Sequence, residues 1–191
     1  MTKRSSNEIK KLTISGVCFA LCMVLPLFTM QIPQVGAALS PMHIPVLIAG
    51  FAVGPFYAAV IGFFAPLVRF MIFGMPPIMP TGVSMAFELL TYGLISGLLY
   101  RAFPKKNVYL YPVLVIAMLA GRGVWGIVRV ILMGLGEAQF SFQAFLAGAF
   151  INAVPGIILH IAVIPVIIMA LKKANLIFNE NEKVALVKVK S

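Results

Sequence analysis

Charge is what this sequence has least of. Of 191 residues, 10% are Asp, Glu, Lys or Arg and 61% are hydrophobic. A soluble domain of this length carries about a quarter charged residues. The shortfall argues against a water-soluble fold and for one all-α integral membrane domain over residues 1–191. Aspartate is missing altogether; the five acids are Glu8, Glu88, Glu137, Glu180 and Glu182. Cysteine is scarce: Cys18 and Cys22, four apart in an apolar stretch, read as small packing residues rather than a disulfide framework or zinc site. His43 and His160 stand far apart in sequence and by themselves make no metal site.

Catalytic signatures are also lacking. The absence of a P-loop argues against ATP hydrolysis by this chain. No G-x-S-x-G, H-E-x-x-H or carboxylate pair is present. A single intramembrane acid and no visible inverted repeat argue against a proton-driven carrier. No metal or cofactor is expected in this chain. The net charge is +10, but no nucleic-acid-binding motif accompanies it, so nucleic acid is not an expected partner.

What is present is long apolar runs. A spanning helix needs about 20 such residues. The start, MTKRSSNEIKKLTISGVCFALCMVL, has the charge pattern of a signal peptide but no clear small-x-small cleavage site, and is read as a first membrane helix. Six spans are expected, over 12–30, 44–53, 56–73, 82–101, 109–134 and 143–171. Gly54-Pro55 divides the second from the third. The stretches 31–43, 74–81 and 136–142 read as loops. They hold no Lys or Arg, whereas Lys3, Arg4, Lys10, Lys11, Arg101, Lys105, Lys106, Lys172 and Lys173 all fall on the other side. The positive-inside rule then places both termini in the cytoplasm, and most of the +10 becomes topology and contact with anionic lipid.

Four charged residues remain inside spans: Arg69, Glu88, Arg122 and Arg129. Each costs about 2.5–3.5 kcal/mol at mid-helix in lipid, so each is expected to face protein or a water-filled cavity. Counting along the helices puts Arg69, Glu88 and Arg129 within about 10 Å of the outer surface, with Asn152 at similar depth and Arg122 and His160 deeper. Arg122, Trp125, Gly126 and Arg129 share one helical face. Three arginines against one glutamate favour an anionic ligand. Structural alternatives stay open: an Arg69–Glu88 pair locking two helices, Arg129 snorkelling outward, Asn152 capping a kink before Pro155, and His160 bonding between helices.

Three stretches, HIPVLIAGFAVGPFYAAVIGFFAPLVRF (43–70), GMPPIMPTGVSMAFELLTYGLISGLLYR (74–101) and AFINAVPGIIL (149–159), resemble the S components of energy-coupling factor (ECF) transporters. They are most similar to the branch shared by folate, riboflavin and pantothenate proteins. The resemblance implies six helices, cytoplasmic termini, and vitamin capture in the outer half of a prokaryotic plasma membrane. It also implies a membrane T component and two cytosolic ATPases as partners, and toppling of the S component to release its vitamin. The family's first helix carries an Ala-x-x-x-Ala surface for the T component; Gly16 and Ala20 match that spacing.

Among the family's substrates pantothenate is the best expectation, with an arginine on its carboxylate, Asn152 on its amide and Glu88 on a hydroxyl. Folate, riboflavin, a cobalamin or a pyrimidine precursor are alternatives. An intramembrane enzyme using Glu88 or His160, or an assembly protein, are readings of a different class. The expected substrate-binding set is Arg69, Glu88, Arg122, Trp125, Arg129 and Asn152, with Gly16 and Ala20 at the partner interface.

Overall fold

The computed structural model describes residues 3–28, 39–134 and 154–178. Helix α1 runs Lys3–Val24 and tightens into a 3₁₀ turn at Leu25–Phe28. Helices α2 (His43–Ala52) and α3 (Pro55–Phe73) follow. A π-helical turn at Ile78–Gly82 leads into α4, Val83–Ala102. A 3₁₀ turn at Asn107–Tyr109 leads into α5, Leu110–Gly134, and α6 covers Val154–Lys173. The described residues contain no strand.

The expected spans and the helices agree in place, with two differences. The first helix begins well before residue 12, because the polar start KRSSNEIKK continues the same helix beyond the apolar stretch. The second expected span, 44–53, is found as a helix at His43–Ala52, but its ten residues are short for a crossing. Ten residues of α2 reach about 15 Å, half of a hydrocarbon core of about 30 Å. Five helices are long and apolar enough to cross a membrane, and His43–Ala52 is a shorter apolar one. Of the sixth expected span, residues 143–153 lie outside the described residues, as does Asn152.

Local chemistry explains the turn between α2 and α3. Gly54 has φ 107°, a conformation that an L side chain resists, and Pro55 then occupies the first turn of α3. The chain reverses, α2 and α3 lie side by side, and both pack on α4. Helix α4 is the core of the bundle, touching α2, α3 and α5. Small residues allow it. A Cβ placed on Gly93 would fall 2.5 Å from the Ala58 backbone, so only glycine permits that crossing of α3 and α4.

The basic segments meet at one end. Lys172 Nζ donates to the Lys105 carbonyl at 2.8 Å and to Asn107 Oδ1 at 3.0 Å. Phe178 N donates to the Ala52 carbonyl at 2.6 Å, which brings the end of α2 to the same place. Tyr57, near the start of α3, donates to Glu8 Oε2 at 3.0 Å and ties in the start of α1.

Candidate ligand site

Helix α4 delivers Glu88 to the centre of the bundle, where 1% of its side chain is exposed. Arg122 Nη1 on α5 stands 3.2 Å from Glu88 Oε1. His43 Nε2, from the first residue of α2, stands 3.4 Å from the same oxygen. Tyr92, one turn further along α4, donates to it at 2.9 Å. Three groups thus converge on one carboxylate, which makes its burial tolerable. Gly121 lets the helices close on this cluster: a Cβ there would meet Tyr92 Cε1 at 2.0 Å.

The depths differ from those expected. Glu88, Arg122 and His160 stand 14, 12 and 13 residues from the basic ends of α4, α5 and α6. At about 1.5 Å per residue all three lie about 20 Å from that end. Glu88 and Arg122 therefore occupy one level rather than two, although Glu88 is near the start of α4 and Arg122 at the middle of α5.

Both histidines belong to this level. The rings of His43 and His160 stack with centroids 6.1 Å apart and planes 21° from parallel, and each residue is 2% exposed. His43 Nδ1 also lies 3.1 Å from the Ser40 carbonyl. Sequence separation hid this pairing. Tyr92 was more legible, since Glu88 and Tyr92 are four apart and share a helical face. Among the described residues no group of three or more His, Cys, Asp or Glu is placed to hold a metal ion.

The other arginines go elsewhere. Arg69 is 1% exposed; its guanidinium donates to the Met23 carbonyl near the end of α1 and lies 4.8 Å from the centre of the Phe73 ring. The cation bridged to Glu88 is Arg122, so the Arg69–Glu88 lock considered from the sequence is replaced by an Arg122–Glu88 one. Arg129 is half-buried. Its guanidinium carbon lies 5.2 Å from the Trp125 ring centre, and its Nη1 donates to Thr81 Oγ1 at 3.4 Å. Trp125 and Arg129 are thus brought together, about one and two turns of α5 further from the basic end than Arg122.

Between α5 and α6 a cavity of about 100 Å³ is lined by Met118, Leu119 and Arg122 on one side and Ile157 and Ile161 on the other. Gly16 and Ala20 lie on the exposed face of α1, and nothing stands within 4 Å of a Cβ built on Gly16. Ser15, Cys18 and Cys22 form the opposite, buried face.

A membrane bundle with a buried, multiply satisfied ionic centre can hold a small polar molecule away from lipid. The sequence model of one family, described as "ECF transporter, substrate-specific component", matches residues 10–168. The chain belongs to that family. No curated protein and no solved structure matches the chain. As an S component it is a substrate-specific subunit of a transporter and not an enzyme. S components work with a membrane T component and ATPases.

Proposed function

We propose that this S component captures a small anionic vitamin, pantothenate, for ATP-driven uptake across a prokaryotic plasma membrane. In this reading the chain crosses the membrane six times and keeps both termini in the cytoplasm. The T component meets the open Gly16/Ala20 face of α1, and two cytosolic ATPases supply the energy. The observation that carries the reading is the charge balance of the bundle. Three arginines and one glutamate stand within the apolar stretches of the described membrane helices: Glu88 is bridged to Arg122, and Arg129 lies beside the Trp125 ring on the same helix as Arg122.

The parts divide as follows. Arg129, half-buried beside Trp125, takes the vitamin's carboxylate. Glu88 and Arg122, with Asn152 from the segment before α6, take the hydroxyl and amide groups. Arg69, on α3, supports the same half of the bundle by holding the end of α1. Titration calorimetry and native mass spectrometry of the detergent-purified chain against pantothenate, folate, riboflavin and cobalamin test the reading. Tight, selective pantothenate binding is expected, with uptake only when the ATPase module is present. A chain that binds none of the panel overturns the proposal; one that binds another vitamin keeps the subunit role and replaces the substrate.

A further inference from the structure

We propose that His160 is a specificity-determining residue, whose Nε2 accepts a hydrogen bond from a hydroxyl on the ligand. This rests on the pantothenate reading above and assigns one contact within it. The His160 ring is buried, stacked on His43, and hydrogen-bonded to the Ser40 backbone. Its Nε2 is buried with no hydrogen-bond partner. A carbonyl can only accept, so the nitrogen that meets Ser40 carries the proton. In a neutral imidazole the other nitrogen is then a lone-pair acceptor. A second cation here would find Arg122 already paired with Glu88, so the neutral form fits the cluster.

His43 Nε2, on the stacked ring and 3.4 Å from Glu88, has no hydrogen-bond partner either, and a donor orphan stands on α5. Arg122 Nε is also buried without a partner, although its Nη1 meets Glu88. That N–H is a donor and needs an acceptor. His160 Nε2 and Arg122 Nε are therefore of opposite kind, and they come from neighbouring helices. Arg122 lines the α5–α6 cavity, and His160 stands in sequence between Ile157 and Ile161 of its other wall. Buried polar atoms are rarely left unpaired, since the hydrogen bonds they lose to water are then not replaced.

One chemical group satisfies both atoms: a hydroxyl beside a carbonyl, carried on a branched aliphatic body that fills the apolar cavity. The ligand class is a branched α-hydroxy amide or α-hydroxy acid. The pantoyl end of pantothenate has this chemistry. Its carboxylate end would then point along α5 toward Arg129, seven residues or about 10 Å from Arg122.

The test compares pantothenate with its 2-deoxy analogue, N-(4-hydroxy-3,3-dimethylbutanoyl)-β-alanine, on the wild-type chain, His160→Phe and His160→Gln. The wild type should bind the deoxy analogue about 10–100-fold more weakly, the usual worth of leaving buried polar atoms unpaired. His160→Phe should weaken pantothenate by a similar factor and bind both compounds alike. His160→Gln, which keeps an acceptor, should retain part of the discrimination. Equal affinity of the wild type for both compounds overturns the assignment without needing any variant. A His160→Phe chain that still prefers pantothenate as strongly as the wild type overturns it too. Wild type that binds neither compound overturns the pantothenate reading itself, and this contact with it.

Discussion

Glu88 on α4 and Arg122 on α5 meet at 3.2 Å in the middle of the bundle, with 1% and 11% of their side chains exposed. Either charge alone at that depth would cost about 2.5–3.5 kcal/mol against lipid. Together, with the Tyr92 hydroxyl bonded to the same carboxylate oxygen and His43 Nε2 3.4 Å from it, they form one buried polar unit. The unit joins three helices, so it sets how α2, α4 and α5 sit on one another.

Breaking the pair from one side should be worse than removing it. Glu88→Leu leaves Arg122 uncompensated and Arg122→Met leaves Glu88 so; each should cost about 3–5 kcal/mol. The double substitution should recover most of that loss. Thermal unfolding in detergent, read as a double-mutant cycle, measures the coupling. Additive losses would mean that the two charges do not support each other.

Gly121 should tolerate no side chain. A methyl there lands within 2.0 Å of the Tyr92 ring, and the Glu88 carbonyl is 3.1 Å away. Gly121→Ala is expected to lower stability by about 1–3 kcal/mol as α4 and α5 are forced apart. Adding Tyr92→Leu should relieve part of the strain, so the double variant should melt above the sum of the two single losses. A Gly121→Ala chain that melts with the wild type would show that the two helices separate freely.

The helices were legible because lipid demands long apolar runs, and their turns because Gly54-Pro55 and the Pro-rich 74–81 stretch cannot continue a helix. The buried charges were legible for the same reason: Arg69, Glu88, Arg122 and Arg129 are conspicuous in apolar sequence. Partner choice was not. Depth counted from helix ends puts Glu88 beside Arg69, but side-chain reach and the close α4–α5 approach at Gly121 put it on Arg122. His43 and His160 were hidden because 117 positions separate them, and only folding of α2 against α6 stacks the rings. The shortness of α2 was legible, since Gly54-Pro55 ends the helix ten residues after the Pro- and Gly-rich stretch that precedes it.

Arg69 holds the end of α1 through the Met23 carbonyl. Arg69→Met should therefore reduce stability by about 1.5–3 kcal/mol, the range for a hydrogen bond to a charged group. Melting temperature and pantothenate affinity should be measured on the same sample. A loss of melting temperature with retained affinity identifies an anchor. Lost affinity with unchanged melting would place Arg69 on the ligand.

The Lys172–Lys105 contact requires the α4–α5 connection and the end of α6 to share one side of the membrane. In the proposed topology that side, which holds the excess of basic residues, is the cytoplasmic one. Single cysteines at Lys106 and Lys173 should react with an impermeant maleimide only in inside-out vesicles. One at Met79, which is exposed in the loop before α4, should react only in right-side-out vesicles. Native Cys18 and Cys22 are buried and should give little background. Labelling of Lys106→Cys and Lys173→Cys from opposite sides would contradict the fold.

Trp125 is the chain's one tryptophan, and the Arg129 guanidinium carbon lies 5.2 Å from its ring centre. An anion that draws Arg129 toward itself must change the field at the indole, so ligand binding should shift the intrinsic fluorescence of the wild type. Arg129→Gln removes the charge but leaves the ring. That variant should bind pantothenate about 10–100-fold more weakly, as expected for a lost charge-assisted hydrogen bond. It should still fold, because a half-buried arginine near a helix end supports little packing. Arg122→Gln offers the contrast: its loss also unbalances Glu88, so affinity and melting temperature should fall together. If Arg129→Gln binds as tightly as the wild type, the carboxylate is held elsewhere, and Arg122 becomes the cation that meets it.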